Sequence, residues 1–126
     1  MLAVKKEIKA DRVAVAPTLS QAIEANGTIF VSGQIHANAE WKLVGETVQE
    51  KLEAIFANIR AILEAADLTL NDIVKATIYV TDMAQMPELN QYYPTYFTAP
   101  LPAREAVCVK ALPLGATIEI SVVAAK

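Results

Sequence analysis

Two charged residues stand inside stretches of the chain that otherwise read as core. Arg104, after Pro102-Ala103, opens an apolar strand-like run, and Glu119 interrupts a second one, Ile118-Glu119-Ile120, beyond Leu112-Pro113 and Gly115. The planar fork of an arginine can donate two parallel, charge-assisted hydrogen bonds to a small carboxylate. A glutamate nearby can hold a water or shuttle a proton. The pair therefore suggests a site that binds a small anion beside an acid–base group. The competing reading is an intersubunit salt bridge made by Arg104 with any carboxylate, since structural ion pairs also occupy clefts.

Strand parity gives a first estimate of their geometry. If the last two strands form a hairpin centred between Pro113 and Leu114, Cys108 faces Glu119 and Ala106 faces Ser121. Opposed residues share a sheet face, so Arg104, Ala106, Cys108, Glu119 and Ser121 would project the same way. A two-residue slip keeps that result and a one-residue slip reverses it. Arg104 lies four residues from Cys108, about 13 Å along a strand, and so at one end of the row.

Other reactive residue types do not assemble into a site. Cys108 as a nucleophile would need a base or a positive field beside it, and the only histidine is His36, so an inert strand thiol is the reading. His36 reads as a loop histidine without function, because one imidazole is not a constellation. One cysteine and one histidine cannot build a zinc site or an intrachain disulfide, and no metal or cofactor is expected. Gly45 and Gly115 are too isolated for phosphate loops. Lys75 reads as neutralising acid on a polar face, and Trp41 as either a partner contact or a tip packed on its own subunit. Met83, Met86 and Leu89 read as helix core.

These residues must be carried by a single domain over residues 1–126, a length sufficient for a real core. The formal net charge of −3 argues against a general nucleic-acid surface. No apolar run reaches the roughly 18 residues of a membrane span, and the start of the chain lacks an apolar leader, so a cytoplasmic protein is expected. The 54% hydrophobic content exceeds the roughly 45–50% of average domains. In a chain this small the surplus favours burial between subunits.

Local signals order the elements. Residues 21–24 and 28–32 read as strands around Asn26-Gly27, a strong hairpin signal, with Gly33-Gln34 leaving the strand. Thr47-x-x-Glu50 is a capping box, followed at helical spacing by Val48, Leu52, Ile55, Phe56, Ile59, Ile62, Leu63 and Ala66, a helix of about 30 Å. Residues 73–81 alternate as a strand, with Val74, Ala76, Ile78 and Val80 on one side. Asp82 can cap a second helix through Met86, Leu89, Tyr93 and Phe97, which Pro94 must kink or fray. Final strands are expected near 106–111 and 117–124. The order β-β-β-α-β-α-β-β implies an α+β layer, two helices on one face of a mixed sheet. The other face is then left for copies of the chain to cover.

Over essentially its whole length the pattern resembles the YjgF/RidA family of imine deaminases. The matching pieces are Ile29-Phe30-Val31-Ser32-Gly33-Gln34-Ile35, Asn58-Ile59, Asp72-Ile73-Val74-Lys75, Leu89-Asn90-x-x-Tyr93, Phe97, Pro102-Ala103-Arg104, Leu112-Pro113 and Ile118-Glu119-Ile120. The resemblance implies a chorismate-mutase-like fold with a six-stranded sheet, and a homotrimer with a central barrel and three intersubunit clefts. It implies hydrolysis of 2-aminoacrylate/2-iminopropanoate and 2-iminobutanoate to 2-oxo acids and ammonia, without metal or cofactor, as metabolite detoxification. Arg104 would clamp the substrate carboxylate, Glu119 would position the water, and Ser32, Gly33, Asn90 and Ala106 would line the cleft.

Two positions depart from the family pattern. Leu19, in Pro17-Thr18-Leu19-Ser20-Gln21, replaces a tyrosine, and Ala106 stands where a cysteine is frequent. Leu19 keeps open an alternative, a non-catalytic carboxylate-binding trimer acting on a partner protein. Chorismate mutase activity ranks last, because it would rest on shared architecture alone.

Overall fold

The computed structural model describes residues 4–126; residues 1–3, part of the start read as lacking an apolar leader, lie outside the described residues. Six strands and two helices follow the expected order: β1 (Lys6–Ile8), β2 (Ala22–Ala25), β3 (Thr28–Ile35), α1 (Val48–Glu64), β4 (Ile73–Val80), α2 (Met86–Tyr92), β5 (Ala103–Cys108) and β6 (Ile118–Ala125). The sheet order is β1-β2-β3-β6-β4-β5, antiparallel except for the parallel pair β4–β5. Among the described residues no helix is long and apolar enough to cross a membrane.

Local chemistry sets the boundaries. Asn26 and Gly27 both have positive φ, 53° and 79°, as the tight turn joining β2 to β3 requires. Thr47 accepts from the Glu50 N–H at 3.1 Å while Glu50 accepts from the Thr47 N–H at 3.0 Å, which starts α1. The helix closes where Asp67 turns to φ 61°, with the Leu68 N–H on the Leu63 carbonyl and the Asp67 N–H on that of Glu64. Asp82 caps a 3-10 turn, Met83–Gln85, rather than α2 itself. α2 then ends at Tyr92, two residues before Pro94, and gives way to a second 3-10 turn, Tyr93–Tyr96.

The core lies between the helices and one sheet face. Leu52, Ile55, Phe56, Ile59, Ile62 and Leu63 of α1 are buried against Ala76, Ile78, Val80, Ile118, Ile120 and Val122, with Leu89 and Tyr93 closing the α2 side. Met86 is only partly buried and Met83 is exposed, so of the three residues read as helix core Leu89 alone is fully inside. The opposite face keeps apolar side chains outside: Phe30 is 51% exposed, and Val74 and Val107 are also exposed.

Three expectations about the sheet are corrected. The last two strands are not a hairpin, because β5 pairs in parallel with β4 while β6 runs between β3 and β4. A helical crossover returns the chain parallel to the strand it left, which takes β5 to the outer edge. β6, with Ile118, Ile120, Val122 and Ala124 all buried, takes the central position. Gly33-Gln34 do not leave β3; the strand continues to Ile35 through a bulge, where Val31 faces Val122 but Gln34 faces Ile120. A register shift between Ile73 and Lys75 also breaks the alternation of β4, burying Ile73 and exposing Val74.

Candidate functional site

The β4 register fixes which faces Arg104 and Glu119 occupy. Ala76 faces Arg104 and Ile78 faces both Ala106 and Ile120, so Arg104, Ala106 and Cys108 share the helix-covered face. Tyr79 faces Glu119 and Thr77 faces Ser121, which puts those two on the uncovered face. Within one chain Arg104 and Glu119 therefore lie on opposite sides of the sheet. The shared face expected from hairpin parity is overturned, because β4 stands between β5 and β6 and the pairing is parallel on one side.

Arg104 sits on the edge strand with its head against α2. Its Nη1 donates to Asn90 Oδ1 at 2.8 Å, and its guanidinium carbon lies 5.2 Å from the centre of the Tyr93 ring. It has no ion-pair partner among the described residues. Ala106 is half-buried and packs on the core, on the same face of β5 as Arg104. Cys108 is exposed, its Sγ no nearer than 4.0 Å to the Val109 carbonyl.

Glu119 is half-buried on the other face, and it too lacks an ion-pair partner among the described residues. Burial pushes its carboxyl pKa above the ordinary value. The bulge in β3 brings Gly33 against this carboxylate: a Cβ at position 33 would collide with Glu119 Oε2 and lie 2.9 Å from Cδ. Glycine is needed here for space, and its absent side chain is what lets the carboxyl in. Ser32 donates its hydroxyl to the Ser20 carbonyl at 2.6 Å, tying β3 to the segment that carries Leu19. With Lys5, Ser20 and Phe30 it borders a cavity of about 360 Å³ on the uncovered side. Leu19 itself is 45% exposed.

The remaining candidates resolve as structural. His36 lies in the bend that follows β3, as a loop histidine should, and is buried there: Nδ1 donates to the Val44 carbonyl at 3.0 Å and Nε2 accepts from the Thr117 N–H at 3.1 Å. Burial first, with nearby Lys51 adding to it against the Val44 bond, lowers its pKa and favours the neutral form. Lys75 pairs with Glu105 at 2.8 Å, as its position suggested. Trp41 packs on its own chain through Nε1, which donates to the Val15 carbonyl at 2.8 Å. No three His, Cys, Asp or Glu side chains among the described residues converge as a metal would require.

Tyr93 is the neighbour of Arg104 that the sequence reading placed in the second helix without a role at the site. The signal was present in Asn90-x-x-Tyr93, a spacing that puts both residues on one side of a helix.

Comparison with known proteins agrees with this framework. The chain is 47% identical to a RutC family protein of Aquifex aeolicus, over 96% of this chain and 99% of that one. It is 39% identical to the mouse 2-iminobutanoate/2-iminopropanoate deaminase, over 83% of this chain and 78% of that protein. The crystal structure of RidA from an Antarctic Psychrobacter superposes with a TM-score of 0.90 at 36% identity, covering 96% and 99% of the two chains. A family model described as endoribonuclease L-PSP matches residues 9–126, and with these relatives it shows that the chain belongs to the YjgF/RidA family.

Proposed function

We propose that the protein hydrolyses small 2-imino and enamine acids, 2-aminoacrylate/2-iminopropanoate and 2-iminobutanoate, to the 2-oxo acid and ammonia. The observation that carries this reading is a guanidinium and a half-buried carboxyl, neither neutralised by another charge among the described residues. Because they occupy opposite faces of one sheet, the reading requires Arg104 of one subunit and Glu119 of another. That requirement fits a homotrimer of chorismate-mutase-like form, its uncovered sheet faces packed into a central barrel and its clefts between subunits.

In such a cleft Arg104 holds the substrate carboxylate through two parallel hydrogen bonds. Glu119 accepts a proton from water as the water oxygen bonds to the carbon of the protonated imine, giving a neutral carbinolamine. The same carboxyl returns that proton to nitrogen; as the C–N bond breaks, the departing ammonia takes the hydroxyl proton and leaves as ammonium, and the oxygen becomes the 2-oxo group. A raised pKa suits both halves, since a carboxyl nearer neutrality is a stronger base and a ready donor. An iminium carbon is already electrophilic, so orientation and one placed water supply most of what is needed. Ser32, Gly33, Asn90 and Ala106 shape the cleft.

The test generates 2-aminoacrylate in situ with a pyridoxal enzyme and follows 2-oxo acid release. Wild type should accelerate it, and Arg104→Ala should lose about a hundredfold in kcat/KM with its bidentate charged contact. Equal rates for the two proteins would sink the proposal. Exposed Leu19 at the family's tyrosine position supports a second reading, a trimer that binds a metabolite carboxylate and acts on a partner protein. Calorimetric binding of a 2-oxo acid without turnover, with activity appearing in Leu19→Tyr, would select it.

A further inference from the structure

Arg104 is exposed on an edge strand, yet its head is held from two directions. Asn90 Oδ1 accepts from Nη1 at 2.8 Å, and the Tyr93 ring lies beneath the guanidinium at 5.2 Å. The residues are three apart, where α2 runs into the 3-10 turn that Pro94 imposes. They restrain different motions. The ring limits the guanidinium from one side, and the amide holds Nη1 in place.

The ring is the fixed partner. Tyr93 is 2% exposed and packs against Phe97 at 5.1 Å and Phe56 at 6.1 Å between ring centres. Its hydroxyl is buried without a hydrogen-bond partner among the described residues, a cost that phenylalanine would avoid. A guanidinium carries five N–H donors in a fixed fork. With Nη1 engaged by Asn90, the edge formed by Nε and Nη2 has no partner among the described residues. That edge presents two parallel donors, the geometry a carboxylate accepts.

We propose that Asn90 and Tyr93 are positioning residues, which orient the Arg104 guanidinium so that its Nε–Nη2 edge stays open for the carboxylate of a small 2-imino or 2-oxo acid. The inference rests on the reading of Arg104 as a carboxylate clamp. It gives Asn90, expected as cleft wall, a role exerted through the arginine. A long side chain fixed before the ligand arrives loses less freedom on binding.

Two measurements on the intact protein test it, one without ligand. In a nitrogen–proton correlation spectrum the Arg104 Nε–H signal, identified by its loss in Arg104→Ala, should be displaced by the Tyr93 ring current. Tyr93→Phe should keep that displacement, whereas Tyr93→Leu and Asn90→Ala should move the signal toward that of a free arginine. In titrations with 2-oxobutanoate, Asn90→Ala and Tyr93→Leu should each weaken binding about tenfold, with Tyr93→Phe within about twofold. In turnover the same variants should raise KM and leave kcat largely unchanged. Asn90 is exposed, so Asn90→Ala carries the test if Tyr93→Leu does not fold. An undisplaced signal in wild type, or unchanged affinity in both variants where Arg104→Ala binds nothing, overturns the positioning role alone. A displaced signal with no 2-oxobutanoate binding by wild type overturns the clamp reading, and the proposed positioning role falls with it.

Discussion

Glu119 places a carboxylate where ionisation is costly. It is half-buried, unpaired among the described residues, and pressed against the one position in β3 that carries no side chain. Burial raises its folded pKa above the ordinary 4.5 of the unfolded chain. The stability linked to it is therefore fully present below pH 4.5 and lost as pH rises through the folded value. Glu119→Gln keeps the shape and removes the charge, so at about pH 8 it should melt above wild type, with the gap closing toward pH 4.5. Melting curves across that range check it, and a constant gap would place the cause elsewhere. Arg104 and Glu119 were legible in the sequence because a charge inside an apolar run is conspicuous. Tyr93 was not, because it is a core residue and an arginine support at once. Helical spacing registers the packing of its ring and is blind to the cation lying over it.

Elements whose signals are local were readable, and those whose place depends on distant partners were not. The Asn26-Gly27 turn, the α1 capping box and the end of α2 before Pro94 each follow from a few adjacent residues. Thr47→Ala, which removes the acceptor for the Glu50 N–H, should destabilise the fold by about 1 kcal/mol, as other lost N-caps do. Urea denaturation would register the loss as a lower midpoint at unchanged slope. Which strands become neighbours is instead decided by the crossover through α2, and hairpin parity failed there. The adjacent charges of Arg104-Glu105 were a usable warning, since an edge strand tolerates such a pair, whereas central β6 carries the single charge of Glu119 in an otherwise largely apolar run. Gly33 misled in the same way. A glycine in a strand-like run marks a bulge as readily as an end, and here the bulge is what seats the Glu119 carboxyl.

At the scale of the whole molecule, the separation of Arg104 and Glu119 by the thickness of the sheet becomes a statement about assembly. A chain that is 54% hydrophobic leaves Phe30, Val74 and Val107 exposed on the face that carries Glu119. Covering that face with copies of itself would bury this surface and also bring one subunit's carboxyl toward another's edge strand. The proposal can be separated from any site built within one chain by mixing two disabled variants. Arg104→Ala and Glu119→Gln homotrimers should each be nearly inactive. Denatured together in equal amounts and refolded, they form mixed trimers in which some clefts receive an intact arginine from one chain and an intact glutamate from the other. With random assembly about a quarter of all clefts are intact, so activity should return to about a quarter of wild type. If both residues acted from the same chain, every site would stay broken and mixing would restore nothing. Sedimentation of the refolded mixture checks that trimers have formed before the rates are compared.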